Sequence, residues 1–117
     1  MCGKRLNLSS LKGKYIFLDV WGSWCFPCRK ANKEISRLYN LYKSKNIVFV
    51  SVANDPEVSP WIKAIHQDKL KWTQLLATKQ FLDDYKIIKY PTQFLIAPDQ
   101  KILKRDNITE SDFQKLE

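Results

Sequence analysis

Two cysteines, Cys25 and Cys28, stand two residues apart in the stretch Trp21-Gly22-Ser23-Trp24-Cys25-Phe26-Pro27-Cys28-Arg29-Lys30. That spacing lets two thiols meet within one tight turn. The chemistry open to such a pair is thiol–disulfide exchange, in which a thiolate attacks a disulfide sulfur and a mixed disulfide forms. A thiolate is favoured over a thiol where positive charge or unpaired N–H groups lie close. Such cysteines fall from a free pKa of about 8.5 into a range of about 3.5–7.5. Spacing alone does not separate a reactive pair from two cysteines that lie close, buried and inert. The elements around the pair must decide it.

A run of apolar residues leads into the motif. Lys14 to Val20, broken only by Asp19, reads as a strand buried on both faces, with Gly13 as a turn before it. Beyond the motif, Cys28, Ala31, Ile35, Leu38 and Tyr42 recur at steps of three and four. They predict a helix over 28–44 with one apolar stripe. Pro27 suits its first turn, where a missing N–H costs nothing. Ile47 to Val52 is a second buried strand. Strand, helix and strand in this order form a βαβ unit with parallel strands and a right-handed crossover.

The pair thus sits where a buried strand turns into a helix. The helix start offers the positive end of its dipole and unpaired N–H groups, and Arg29 and Lys30 add charge. Cys25, just before the helix, is the expected nucleophile. Cys28, on the apolar stripe, is the expected shielded partner that resolves the mixed disulfide from within. Phe26 and Pro27 tune the turn, and Trp24 offers a flat contact for a partner. Counting by twos puts Phe17, Asp19 and Trp21 on one face of the first strand. A buried carboxylate there, its pKa raised by burial, could take the proton from Cys28. An Asp19 facing solvent at a sheet edge would have no such role.

The rest of the chain is read more coarsely. Ser59 is the expected cap of a helix with Pro60 at its first position and Trp61, Ile62 and Ile65 on one side. Thr78 is the expected cap of a short helix carrying Phe81, Leu82 and Tyr85. Thr92 to Ile96 and Lys101 to Lys104 read as strands around a turn at Pro98-Asp99-Gln100. Thr109 and Asp112 are placed to cap a last helix containing Phe113 and Leu116. Residues 6–11 could add a partial edge strand. The expected architecture is a single α/β sandwich over 1–117, with a central mixed sheet of at least four strands and helices on both faces.

Composition narrows the function. The chain has 117 residues, 44% of them hydrophobic, enough for a packed core in one domain. The net charge of +8 lies in residues 1–45, which hold ten Lys/Arg against two acids; from 46 onward the signs balance at ten each. A positive face there fits either a solvated helix surface or an acidic partner. The sequence lacks a nucleic-acid motif, a Gly-rich phosphate loop and an apolar run of about 18 residues that would span a membrane. Neither a metal nor an organic cofactor is expected: the CxxC has no second pair, and the single His66 has no histidine neighbour. Cys2 is left over near the end of the chain.

Taken together, these segments resemble the thioredoxin superfamily, and most closely its TlpA/ResA-like thiol-disulfide oxidoreductases. The resemblance runs over nearly the whole chain. It rests on Leu8-Ser9-Ser10-Leu11-Lys12-Gly13-Lys14, on Leu18-Asp19-Val20-Trp21-Gly22-Ser23-Trp24-Cys25 with Pro27-Cys28-Arg29-Lys30, and on Val50-Ser51-Val52, the Tyr85 segment and Tyr90-Pro91-Thr92-Gln93-Phe94-Leu95-Ile96. It implies a thioredoxin-like fold with Cys25 as nucleophile and Cys28 as resolving cysteine. Pro91 matches the cis-proline that faces the disulfide and helps dock the substrate backbone, which Tyr90 adjoins. Asp19 matches the buried acid of thioredoxin. A glutamate after the second strand serves in the closer branch, and Asp55 stands roughly at its place, so Asp19 and Asp55 are rival proton acceptors.

This chain departs from the pattern at two positions. Tyr90 is bulkier than the usual residue before the cis-proline, which narrows the substrate groove. Phe26 replaces the commoner Gly or Glu, so the redox poise cannot be borrowed. Relatives carry an edge strand or hairpin before Leu6, so the N-terminal edge reads as truncated. The resemblance further implies a protein exported or tethered outside the cytoplasm. It would reduce or isomerise disulfides of client proteins and depend on an upstream redox protein. The competing readings are a disulfide-donating oxidase and a binding module, which would use Trp21, Trp24 and the basic helix without turnover.

Overall fold

The computed structural model describes residues 13–116. Cys2, the possible edge strand at 6–11 and the N-terminal edge lie outside the described residues. The elements are β1 (Tyr15–Trp21), α1 (Phe26–Tyr42), β2 (Ile47–Ala53), α2 (Val58–Gln67), β3 (Thr73–Leu76), α3 (Lys79–Asp84), β4 (Thr92–Ile96), β5 (Ile102–Arg105) and α4 (Glu110–Gln114). They form a thioredoxin-like sandwich. The strands make one five-stranded mixed sheet in the order β3-β2-β1-β4-β5. β1 is parallel to β2 and β2 to β3, while β4 runs antiparallel to β1 and to β5.

β1 lies at the centre because its side chains are apolar in both directions. Ile16, Leu18 and Val20 pack on one face with Val50, Val52, Phe94 and Ile96, under Phe81 and Leu82 of α3 and Tyr85 just beyond it. Phe17 and Trp21 pack on the other with Phe49, under Ile35 and Leu38 of α1, Trp61 and Ala64 of α2, and Phe113 of α4. Burying a side chain of this size contributes about 1.5–3 kcal/mol. Helices therefore cover both faces, as two strands apolar on both sides apart from Asp19 and Ser51 require.

Several local expectations shift. The helix after the motif begins at Phe26, two residues earlier than the apolar stripe indicated, because Cys25 itself serves as its N-cap. Asn32, not Ala31, is the buried position in its second turn; its Nδ2 donates to Asp68 at 2.9 Å, which makes a polar side chain tolerable there. Glu57 rather than Ser59 stands at the cap of α2, placing Ser59 and Pro60 inside the first turn. Ile62 points outward, because Trp61 and Ala64 define the buried face. Thr78 caps α3 by accepting from the Phe81 N–H, and Thr109 with Asp112 forms a capping box on α4, which ends before Leu116. β3 is a fifth strand that periodicity did not reveal: it is four residues long and carries a buried Gln74.

Candidate active site

The site is built at the junction of β1 and α1. Cys25 has extended backbone and caps the helix, its Sγ accepting from the Cys28 N–H at 3.2 Å. Phe26 and Pro27 fill the first helical positions, and the Arg29 N–H closes the turn onto the Cys25 carbonyl at 3.0 Å. Cys25 and Cys28 are joined as a disulfide, with Cα atoms 5.2 Å apart. Cys28 is fully covered, whereas Cys25 keeps 6% exposure. Any attack from outside must therefore come through Cys25. Around it Trp24 and Phe26 stand out at 56% and 73% exposure, a large apolar surface beside the sulfur pair.

A carboxylate lies in the sheet on the same side. Asp19 is 1% exposed, in a central strand and not at an edge. It alternates with Phe17 and Trp21, which belong to the same packed cluster as Cys25 and Cys28. Burial raises its pKa to about 7, against a smaller opposing effect of the Gln93 amide. Gln93 Nε2 donates to Oδ1 at 3.3 Å, while Oδ2 has no protein partner. The group is thus poised to hold or release a proton near neutrality.

Asp55 has a different setting. Its carboxylate accepts from the Ser23 backbone N–H at 3.0 Å and from the Ser23 hydroxyl. It fastens the loop two residues ahead of Cys25. Arg29 fastens the same loop from the other side: it donates to the Ser23 carbonyl at 3.2 Å and makes a two-pronged contact with Asp68, through Nε at 2.6 Å and Nη2 at 3.0 Å. Burial pushes the Asp68 carboxyl up, but the hydrogen bonds from Arg29 and Asn32 outweigh it and hold the group below its ordinary value. The positive charge expected beside the cysteines is thus largely matched at Arg29.

The Tyr90–Pro91 peptide bond is cis. The Thr92 hydroxyl donates to the Lys89 carbonyl at 2.6 Å across this bend. Asn54, which sequence reasoning passed over, ties the bend to the motif. Its carbonyl accepts from Trp24 Nε1 at 2.8 Å, and its Nδ2 donates to the Tyr90 hydroxyl at 2.9 Å. Its place directly after β2, beside Asp55, was the only sequence signal. The structure therefore joins Trp24, Asn54 and Tyr90 in one assembly, and Ser23, Asp55 and Arg29 in another.

The sequence profile of the AhpC/TSA family matches residues 2–105. The chain belongs to the AhpC/TSA family. Fold and sequence also put this AhpC/TSA chain in the thioredoxin superfamily, among ResA/TlpA-like proteins. It is 36% identical over 107 residues to the thiol-disulfide oxidoreductase ResA of Bacillus subtilis, an alignment covering 87% of this chain and 58% of the relative. Like the ResA proteins of Bacillus thuringiensis and Bacillus cereus, that relative is much longer: the chain spans about 60% of their length. Among solved structures, the thioredoxin domain of a thiol-disulfide oxidoreductase from Bacteroides vulgatus superimposes with a TM-score of 0.87 at 30% identity, over 97% of this chain and 84% of that one. A thiol-disulfide oxidoreductase from Bacteroides fragilis does so with a TM-score of 0.80 at 34% identity, over 90% and 80%.

Proposed function

We propose that this protein is a thiol-disulfide oxidoreductase that reduces or isomerises disulfides of client proteins through Cys25 and Cys28. The observation that carries this reading is the Cys25–Cys28 disulfide closed at the head of α1, with Cys28 fully covered and Cys25 keeping 6% exposure. In the reducing direction the dithiol form acts. The Cys25 thiolate attacks one sulfur of a client disulfide, forming a mixed disulfide and releasing one client thiolate. Cys28 then loses its proton to a carboxylate and attacks Cys25 Sγ. The Cys25–Cys28 bond forms, the mixed disulfide breaks, and the second client thiolate leaves. The client gains two electrons and this protein loses two, so a dithiol partner must restore it.

Asp19 is the proton acceptor of choice, because its burial keeps it near the pH where it can both take and return a proton. Asp55 is the weaker candidate, since its carboxylate is already engaged by Ser23. Pro91 and Tyr90 provide the backbone against which an extended client segment docks, with Trp24, Phe26 and Pro27 as the remaining contact surface. The resemblance that suggests these roles also supports a location outside the cytoplasm; among the described residues no helix is long and apolar enough to cross a membrane.

The test is equilibration against glutathione buffers with thiol alkylation, beside trapping by Cys28→Ser. A potential near the reducing end of the known scale, about −270 mV, together with a trapped Cys25–client adduct supports the reading. A value near about −120 mV makes the protein a disulfide donor. If the pair shows no reversible two-electron transition, exchange is not its function and a binding module takes its place.

A further inference from the structure

One row of residues on the face of the sheet covered by α1 is polar from strand to strand. Gln74 on β3 stands opposite Ser51 on β2, Ser51 opposite Asp19 on β1, and Asp19 opposite Gln93 on β4. The rows flanking it are apolar, with Phe49, Phe17 and Leu95 on one side and Leu76, Ala53 and Trp21 on the other. Asp19, Ser51 and Gln74 are each buried to within 2% exposure. Asn32, buried on α1, adds another polar side chain to the same side of the sheet as the cysteines.

Protein atoms satisfy this row only in part. Gln93 donates to Asp19 Oδ1, and Trp72 Nε1 donates to Ser51 Oγ at 2.7 Å. Asp19 Oδ2, Asn32 Oδ1 and both amide atoms of Gln74 have no protein partner. Each such atom costs about 1–3 kcal/mol if nothing meets it. Sites of this kind are met by internal water making two to four hydrogen bonds. Gln74 is the most telling member. A leucine of similar size would pack there at no polar cost, yet the position holds an amide with donor and acceptor both unused.

We propose that the row Gln74–Ser51–Asp19–Gln93 is an internal water-binding site that hydrates the Asp19 carboxyl, with Gln93 as its positioning residue. This rests on the reading of Asp19 as proton acceptor. Gln93 fixes Oδ1 and leaves Oδ2 for the proton. Water bridging the Ser51 hydroxyl and the Gln74 amide solvates the charged carboxylate, which burial alone would suppress. Only a proton moves in this step, between an oxygen of Asp19 and its neighbour, and no electrons are transferred.

The surroundings leave few rival causes for a shift in Asp19. From α1, the titratable groups turned to this cluster are the cysteine pair, Tyr39, whose ring packs on Phe49 and Trp72, and Tyr42, whose hydroxyl lies 3.4 Å from Glu110. α2 contributes Trp61 and Ala64, and α4 contributes Phe113. Behind Gln93, its backbone N–H donates to Asp106 Oδ1, and Asp106 pairs with Lys89 at 3.2 Å. Among the described residues no other carboxylate or amine is buried on this face.

The experiment is a carbon-detected NMR titration of the Asp19 carboxyl in the oxidised full chain, for Gln74→Met and Gln93→Met. Both variants keep side-chain volume and remove hydrogen bonding. The site predicts a rise of about half to one unit in the Asp19 midpoint for each. The Gln74 result is decisive, because that side chain is two strands away from Asp19. Gln74→Asn, which retains a donor and an acceptor, is expected to restore most of the wild-type midpoint. A folded Gln74→Met with an unmoved midpoint overturns the proposal, as does a high-resolution structure with no water at the row. Should Gln74→Met fail to fold, Ser51→Ala is titrated in its place and must raise the midpoint likewise. Full-rate exchange by Asp19→Asn would instead remove the proton-acceptor reading, leaving the titration to decide the hydration site.

Discussion

Trp24 and Tyr90 meet edge to face with ring centroids 5.1 Å apart, and Asn54 is hydrogen-bonded to both. Sixty-six positions separate the two aromatics in the chain, yet together they form one wall beside Cys25. The wall joins the motif loop to the cis Tyr90–Pro91 bend, so the shape of the groove proposed for the client is set jointly by both. Replacing Tyr90 by valine removes the wall without touching the sulfurs. The expected outcome is a gain of about tenfold in kcat/KM for bulky protein disulfides, the scale set by a methylene or more in an apolar contact. Glutathione disulfide should react at an unchanged rate. An equal change for both substrates would show that Tyr90 acts on the cysteines and not on the groove.

Gly22 is required by this wall. A Cβ built at Gly22 falls onto the indole of Trp24, at Cε2, Nε1 and Cζ2. Gly22→Ala therefore displaces Trp24 from its bond to the Asn54 carbonyl. The expected result is a red-shifted Trp24 emission and a loss of stability of about 1 kcal/mol, the scale of one net hydrogen bond. Emission is read against Trp24→Phe, which removes the reporter. An unchanged spectrum in Gly22→Ala would mean that the indole does not depend on the missing Cβ.

Arg29 and Asp68 hold the loop through a partly buried, two-pronged ion pair, with side-chain exposures of 27% and 17%. Asp68→Ala leaves Arg29 unmatched next to Cys28 and deprives Asn32 of its acceptor. Removal of one partner is expected to destabilise the fold by about 1–3 kcal/mol. In the reduced protein it should also speed alkylation of Cys25 at pH 6, since the freed guanidinium favours a thiolate. Denaturation and iodoacetamide kinetics check the two effects separately. Slower alkylation would mean that Asp68 serves the thiol directly.

The sequence made the βαβ unit legible because its strands are long, apolar at nearly every position and separated by a strongly periodic helix. The place of Cys25 and Cys28 at the helix start followed from those elements, whereas the choice between a buried and an edge Asp19 needed the sheet order. The β3 strand escaped notice because four residues with a polar second member carry no periodic signal. The role of Asn54 was equally hidden, because it acts by bridging residues that are far apart in sequence. Asn32 stands off the predicted apolar stripe, and its burial depends on a partner, Asp68, 36 positions away. Register, too, is a tertiary fact: nothing in the chain announces that Gln74, Ser51, Asp19 and Gln93 form one row. Pattern exposes elements, whereas pairwise contacts between distant segments appear only once the sheet is assembled.

The burial of Asp19 has a consequence for stability that can be measured apart from activity. Its carboxyl titrates near 7 in the folded chain and near the ordinary 3.8 when unfolded. Between those values the folded state holds a proton that the unfolded state has released. Stability therefore falls as pH rises through this window, by about 1.4 kcal/mol per pH unit at most, and levels off above 7. The whole effect amounts to about 4 kcal/mol as an upper bound. Asp19→Asn removes the titrating group while keeping an acceptor for Gln93. In the oxidised state the variant should match the wild type closely near pH 4 and exceed it by a few kcal/mol at pH 8, as read from urea unfolding across that range. Parallel stability curves for the two proteins would show that Asp19 titrates at its ordinary value in the fold, and with that the acid–base role argued for it would lose its physical basis.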